Sequence, residues 1–210
     1  MKPIKKRYRK CKVCNNQFEV NPFYLFIGWC SASCAYEYQN ILKANKDKKE
    51  LNDKCKVWKI DTHAKENKAA LQAQINLLAR KIDASFDYCC IDCGKEYGKQ
   101  VDGAHFHSRG ANSTLRYHLD NIHSAKSDCN QYSDTHKEGY KKGLVLRYGS
   151  DYLAMVEGLP IQYKEVHLSN VEIAEKLKIV RAITRNFHTY SFESSINARN
   201  VFNKIINIYQ

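Results

Sequence analysis

The chain has 210 residues, enough for one mid-sized domain or two small ones, and its 43% hydrophobic content allows an ordinary core. A formal net charge of +12 favours polyanionic partners, because each phosphate neutralised releases a condensed counterion. Nine cysteines, an odd number set mostly in close pairs, argue against a disulfide framework and for metal ligation in a reducing compartment.

The first twelve residues hold seven Lys or Arg and no acid. Lys5, Lys6, Arg7 and Arg9 form an arm that can lie along a phosphate backbone, or serve only as a solvated tail or an address. No apolar stretch follows this arm, and the longest apolar run, Phe23 to Ile27, is far too short to cross a bilayer. The expectation is a cytoplasmic protein with no membrane segment.

Cys11-x2-Cys14 and Cys30-x3-Cys34 come next. Two close thiolate pairs can complete a tetrahedral zinc site, with Phe18 and Trp29 packed beneath the metal. Four thiolates leave no open coordination position, so this zinc is structural.

Residues 1–40 thus read as a basic arm and a zinc module. Residues 41–83 read as a charged helical connector whose later part repeats Leu71, Ile75, Leu78 and Ile82 at helical spacing. Eight of the nine glycines fall between Gly94 and Gly158, which marks 84–158 as a loop-rich unit. Residues 159–210 read as two helices. Ser169 or Asn170 caps the first, with Ile173, Leu177, Val180 and Ile183 inward; Ile196, Val201, Ile205 and Ile208 line the second.

The central unit opens with Cys90-x2-Cys93-Gly94. It continues through Asp102-Gly103-Ala104-His105-Phe106-x-Ser108-Arg109-Gly110 and Leu115-Arg116-Tyr117 to Asn121, Cys129-Asn130 and Tyr140-x2-Gly143-Leu144. This order resembles the HNH pattern of a cysteine knuckle, a strand ending in histidine, a central Asn and a helix beginning at a second knuckle. It is closer still to the phage NinG/Rap recombination family, over residues 8–40 and 88–158. One position departs. Where the family usually carries a cysteine three residues before the Cys-Asn pair, this chain has Lys126. Cys90, Cys93 and Cys129 therefore lack a fourth thiolate for a second zinc; His123, Cys89, Asp128 or water are the replacements, or the site holds no zinc.

The resemblance implies an α+β fold: a small ββα-metal core with an N-terminal zinc module and flanking helices. It implies divalent-metal-dependent cleavage of DNA, with His105 as general base and Asn121 shaping the loop. Asn130 matches the position that holds the catalytic Mg²⁺ or Mn²⁺; Asp102 and His136 are further candidate ligands. A histidine near its ordinary pKa of ~6.5 can take a proton from water at neutral pH. His105 read without the family is equally a zinc ligand or a surface histidine, and Asn130 a helix cap. His107, two residues beyond His105, faces the other way and is structural. Arg109 and Arg116 can clamp phosphate oxygens or serve in ordinary surface pairs.

The substrates implied are branched recombination intermediates, Holliday junctions or D-loops, in a phage or prophage setting. Recombination proteins as partners and a homodimer making paired cuts belong to the same expectation. Two other readings stand beside it: a non-catalytic zinc protein that binds DNA and recruits recombination partners, and an RNA-binding module, whose aromatic platform the scattered tyrosines do not supply.

Overall fold

A computed structural model of the chain describes residues 6–20, 28–132 and 136–209, with backbone alone at 131, 132 and 136. Lys5 and the apolar run at 23–27 lie outside the described residues. The fold is mixed α+β, mostly helical, with two small antiparallel strand pairs among the described residues. Two compact units divide it, Met1–Lys59 and Ile60–Gln210.

In the first unit, β1 (Arg7–Lys10) pairs with β2 (Gln17–Val20), Arg7 opposite Val20. The Cys11–Cys14 knuckle is the turn between them. The helix α1 (Ala32–Thr62) buries none of its residues. Its apolar residues do not repeat at helical spacing, so it has no stripe to bury. Pairs such as Lys56 with Asp53, 3.1 Å apart, line its surface.

The stretch expected as one connector is interrupted at His63, and α2 (Ala64–Ala84) begins there. Its Leu71, Ile75, Leu78 and Ile82 are fully buried, as their spacing predicts. They pack on α6 (Asn170–Arg185), which buries Ile173, Leu177, Val180 and Ile183. Ser169 caps α6: its hydroxyl accepts from the Glu172 amide at 3.2 Å, and the Glu172 carboxylate accepts from the Ser169 amide at 2.8 Å.

The last helix corrects its sequence reading. In α7 (Ser195–Ile206) the buried stripe is Ala198, Phe202 and Ile206, with Arg199 among them; of the residues expected to line it Ile208 is buried, Ile196 and Val201 are half-buried, and Ile205 is 43% exposed. Arg199 turns the helix this way. Its guanidinium reaches Asp83 of α2 at 2.5 Å and donates to the carbonyls of Leu119 and Ile122. The other Asp83 oxygen accepts from the Ser124 amide at 2.6 Å. A buried charge persists only when paired and hydrogen-bonded in this way, and the pair ties α2, α7 and the second strand pair together.

That pair is β3 (Val101–His105) against β4 (Ile122–Lys126), with His105 opposite Ile122. The short helix α3 (Ser127–Tyr132) follows β4 directly. Among the described residues the glycine-rich stretch is loop-like mainly at 85–100 and 106–121. Beyond it run α4 (His136–Tyr148) and α5 (Ser150–Gln162). The glycines of α4 serve close packing rather than loops. A Cβ at Gly143 would lie 1.7 Å from the Ile91 carbonyl oxygen, and one at Gly139 would lie 1.7 Å from an Asp92 carboxylate oxygen. So α4 rests directly on the Cys90–Cys93 turn. Tyr140 and Leu144 of the same helix are fully buried in the second core cluster. No helix among the described residues is long and apolar enough to cross a membrane.

Candidate functional site

Two cysteine clusters share one backbone plan. In the first knuckle the Cys11 amide donates to the Asn16 carbonyl at 2.9 Å, and the Asn15 amide donates to the Cys11 carbonyl at 3.1 Å. In the second the Cys90 amide donates to Lys95 at 2.9 Å, and the Gly94 amide to Cys90 at 3.0 Å. Asn15 and Gly94, at φ 59 and 67, close the two turns in the left-handed region, which glycine and asparagine enter at least cost. In each case a further cysteine stands at the start of a helix: Cys34 in α1 and Cys129 in α3.

The four sulfurs of Cys11, Cys14, Cys30 and Cys34 lie within 4.8 Å of one another, a donor set that can hold a structural zinc ion. Cys14 and Cys30 are 3.5 Å apart, Cys30 and Cys34 3.7 Å. Burial opposes ionisation of Cys11, but the amides of Cys14, Val13 and Cys30 outweigh it and bring the thiol down to about 6. Hydrogen bonding to Cys14 and Cys34 pushes Cys30 up to about 12. Without metal, these sulfurs share protons that a cation would displace.

The sulfurs of Cys90, Cys93 and Cys129 also lie within 4.8 Å of one another, and no fourth Cys, His, Asp or Glu joins them among the described residues. The Lys126 amide donates to the Cys90 sulfur at 3.3 Å; burial opposes ionisation of Cys93, but hydrogen bonds from the Lys95 backbone, Cys129 and Cys90, with a smaller part from the Lys126 ammonium, hold its thiol below the usual range. His123 is not a substitute. It is fully buried with Nδ1 3.0 Å from the Tyr140 hydroxyl and Nε2 3.5 Å from that of Tyr152. Cys89 and Asp128 lie outside the cluster too.

A polar cleft of about 630 Å³ opens where β3 ends. Asp102, His105, Arg109 and Asn130 line it, together with Asn76 of α2. Gly103 lets α2 come this close, since a Cβ there would lie 2.9 Å from the Asn76 Cβ. The Asn130 amide donates to the Asp102 carboxylate at 3.1 Å. These two groups are hard oxygen donors of the kind Mg²⁺ takes. The side chain of His136 lies outside the described residues.

His105 is half-buried, with Nε2 3.1 Å from the Arg116 carbonyl. Burial, chiefly, pulls its pKa down to about 4, and the cations of Arg109 and Arg116 add to the effect against the backbone carbonyls of Arg116 and Gly103. The ordinary histidine value assumed from sequence therefore does not hold here. The imidazole is neutral throughout the neutral range. Arg109 is exposed and Arg116 half-buried; neither has a carboxylate partner among the described residues.

Asn121 is fully buried and spends its side chain on the backbone. It accepts from the His107 amide at 2.7 Å and donates to the carbonyls of His107 and Leu115 at 3.1 and 3.2 Å. It shapes the 106–121 loop and reaches no solvent. His107 bonds the Val156 carbonyl at 2.8 Å. In the first unit Lys6 pairs with Glu19 at 3.1 Å, while Arg7 and Arg9 are exposed one residue apart on β1. Sequence reading missed Gln72 and Asn76, which sit on the polar side of a helix and carry no motif.

The molecule is thus a small basic α+β protein with two cysteine-knuckle clusters and a polar cleft at the end of a strand pair. It belongs to the bacteriophage lambda NinG protein family, whose pattern matches residues 1–188. The chain is 27% identical over 196 residues to Protein ninG of Escherichia phage lambda, covering 82% of this chain and 93% of that protein. It is 26% identical over 193 residues to Protein ninG of Escherichia phage 933W, covering 82% and 94%. No solved structure matches the chain.

Proposed function

We propose that the protein is a divalent-metal-dependent DNA endonuclease of the HNH type, acting on branched recombination intermediates of a phage. The observation that supports it most is the gathering of Asp102, His105, Arg109 and Asn130 around one cleft, beside a helix that directly follows the strand pair. Phosphodiester hydrolysis needs a base for water and positive charge beside the phosphate and the leaving oxygen. Neutral His105 accepts the proton from water. Arg109 holds a non-bridging phosphate oxygen by its fork of N–H donors. Asp102 and Asn130 would hold Mg²⁺ or Mn²⁺, which when bound supplies Lewis-acid stabilisation of the leaving 3′-oxygen. The products are a 5′-phosphate and a 3′-hydroxyl.

Arg7 and Arg9 of β1, beside a four-cysteine zinc module, supply phosphate contacts that add affinity without reading bases. The preference for Holliday junctions or D-loops rests on family resemblance, as do recombination proteins as partners and a homodimer making paired cuts. The test is cleavage of a synthetic four-way junction and of supercoiled plasmid, with Mg²⁺, with Mn²⁺ and with chelator. His105→Ala is expected to cost roughly 10²–10⁴ in rate with junction binding unchanged. A wild-type protein that binds junctions but cuts nothing with either ion moves the reading to a non-catalytic zinc protein that recruits partners to DNA. In that case the missing fourth thiolate at Lys126 marks a decayed core.

A further inference from the structure

Gln72 of α2 is buried, 5% exposed, in the wall between the cleft and Arg116. Its amide makes a fixed set of contacts. The Arg116 Nε lies 3.1 Å from Gln72 Oε1. A guanidinium nitrogen only donates, so the oxygen of the amide must face it. The Gln72 nitrogen then faces the other way. It lies 2.8 Å from Asn76 Oδ1 and 2.9 Å from the Arg116 carbonyl, both acceptors. Those contacts use both of its hydrogens.

His105 Nε2 stands 3.3 Å from that same nitrogen and 3.1 Å from the Arg116 carbonyl. With both Gln72 hydrogens directed to the two nearer acceptors, the partner that Nε2 faces is the Arg116 carbonyl, and the form that satisfies it carries the proton on Nε2, against the weaker pull of the Gly103 carbonyl on the imidazole. The lone pair of the imidazole is then on Nδ1.

We propose that Gln72 is a positioning residue for His105: pinned by Arg116 and Asn76, it forces the Nε2–H tautomer and leaves Nδ1 as the basic nitrogen. The same amide holds Arg116 by Nε, with its guanidinium over the Tyr117 ring in a depression next to the cleft that Lys68 also lines. Asn76 likewise accepts from Gln72 through its oxygen and keeps its Nδ2 donor at the cleft it lines. Gln72 thereby sets the base and an amide donor of the cleft in one register. It does so from a helix 33 residues away from His105 in sequence.

The role in catalysis rests on the nuclease reading; the tautomer does not. The test is therefore spectroscopic first. The full chain, with ¹⁵N-labelled histidines and His105 assigned through a His105→Gln variant, is examined by long-range ¹H–¹⁵N correlation at pH 7.5. Wild-type His105 is expected as the Nε2–H tautomer, with Nδ1 unprotonated. Gln72→Leu, which no longer holds the Arg116 carbonyl against Nε2, is expected to release it toward the Nδ1–H form, turned to the competing Gly103 carbonyl. Gln72→Glu, which keeps an oxygen facing Arg116 Nε and gives Nε2 no competing donor, is expected to retain Nε2–H.

On junction DNA, Gln72→Leu is expected to lower kcat on the order of 10²-fold, the scale on which a wrongly held base loses rate, with little change in KM. Gln72→Glu is expected to recover most of that loss. A wild-type His105 in the Nδ1–H form, or a Gln72→Leu spectrum identical to wild type, overturns the proposal whether or not the protein cuts DNA. If Gln72→Leu does not fold, the wild-type and Gln72→Glu spectra decide. Absence of cleavage with the expected tautomer intact sinks the nuclease reading and leaves the assignment of Nδ1 standing.

Discussion

Acidification should expose how far His105 is held from its ordinary behaviour. In an unfolded chain a histidine binds its proton near pH ~6.5. In the fold, burial delays this to about 4. Between these values the unfolded state carries the proton and the folded state does not, so stability falls as pH falls. The contribution of the neutral imidazole is complete above ~6.5 and gone below about 4. The gap amounts to about 3 kcal/mol, since each pKa unit is worth about 1.4 kcal/mol.

Urea unfolding of wild type and His105→Gln at pH 7.5 and pH 4.5 isolates it. His118 and His123 are buried and lowered as well, but they act on both backgrounds and cancel. Wild type is expected to lose about 2 to 3 kcal/mol more than the variant across that interval. Equal losses would refute the burial argument. So would an imidazole resonance of His105 that titrates near 6.5. The same shift reaches the proposed chemistry: the cleavage rate should be flat through pH 6 to 8, with no rise where an ordinary histidine would ionise.

Cys14→Ser should abolish zinc binding by the four-cysteine cluster and loosen the N-terminal unit while cleavage of plain duplex partly survives, because none of the four cysteines lines the cleft; metal analysis and limited proteolysis read this. Gly143→Ala should destabilise by several kcal/mol, of the order of the severest single substitutions, because its methyl would enter the Ile91 carbonyl; a thermal midpoint within a degree of wild type would contradict the packing. Replacing Arg7 and Arg9 together by Ala should weaken junction binding and make the slope of log K against log salt shallower by up to about 2, as expected when two phosphate contacts are lost.

The parts of this molecule that local chemistry governs were legible in the sequence. A knuckle needs only two cysteines and a residue that tolerates positive φ. So Cys11-x2-Cys14 and Cys90-x2-Cys93-Gly94 announce their turns, and the structure brings the sulfurs together in both. The stripes of α2 and α6 and the cap at Ser169 are likewise set by spacing along one helix. Resemblance to a known family placed His105, Asp102 and Asn130 near one another.

Only the tertiary structure decided the remainder. The buried face of α7 is chosen by Arg199, whose partner Asp83 is 116 residues earlier; the spacing of isoleucines found Ile196 and Ile208 but missed Ala198 and Phe202 and put the exposed Ile205 inside. The basicity of His105 depends on how much water the fold removes and on two arginines brought in from loops. Lys68, Gln72, Asn76 and Arg80 recur every four residues on α2 and look in sequence like a solvated stripe. Asn76 comes to line the cleft, with Gln72 buried behind it, because Gly103 lets the helix touch the strand, and Arg80 holds it there by donating to the Val101 carbonyl at 2.8 Å. A glutamine has no signature of its own; its role is set by which donors and acceptors the fold places against it, and those come from parts of the chain that sequence spacing does not connect.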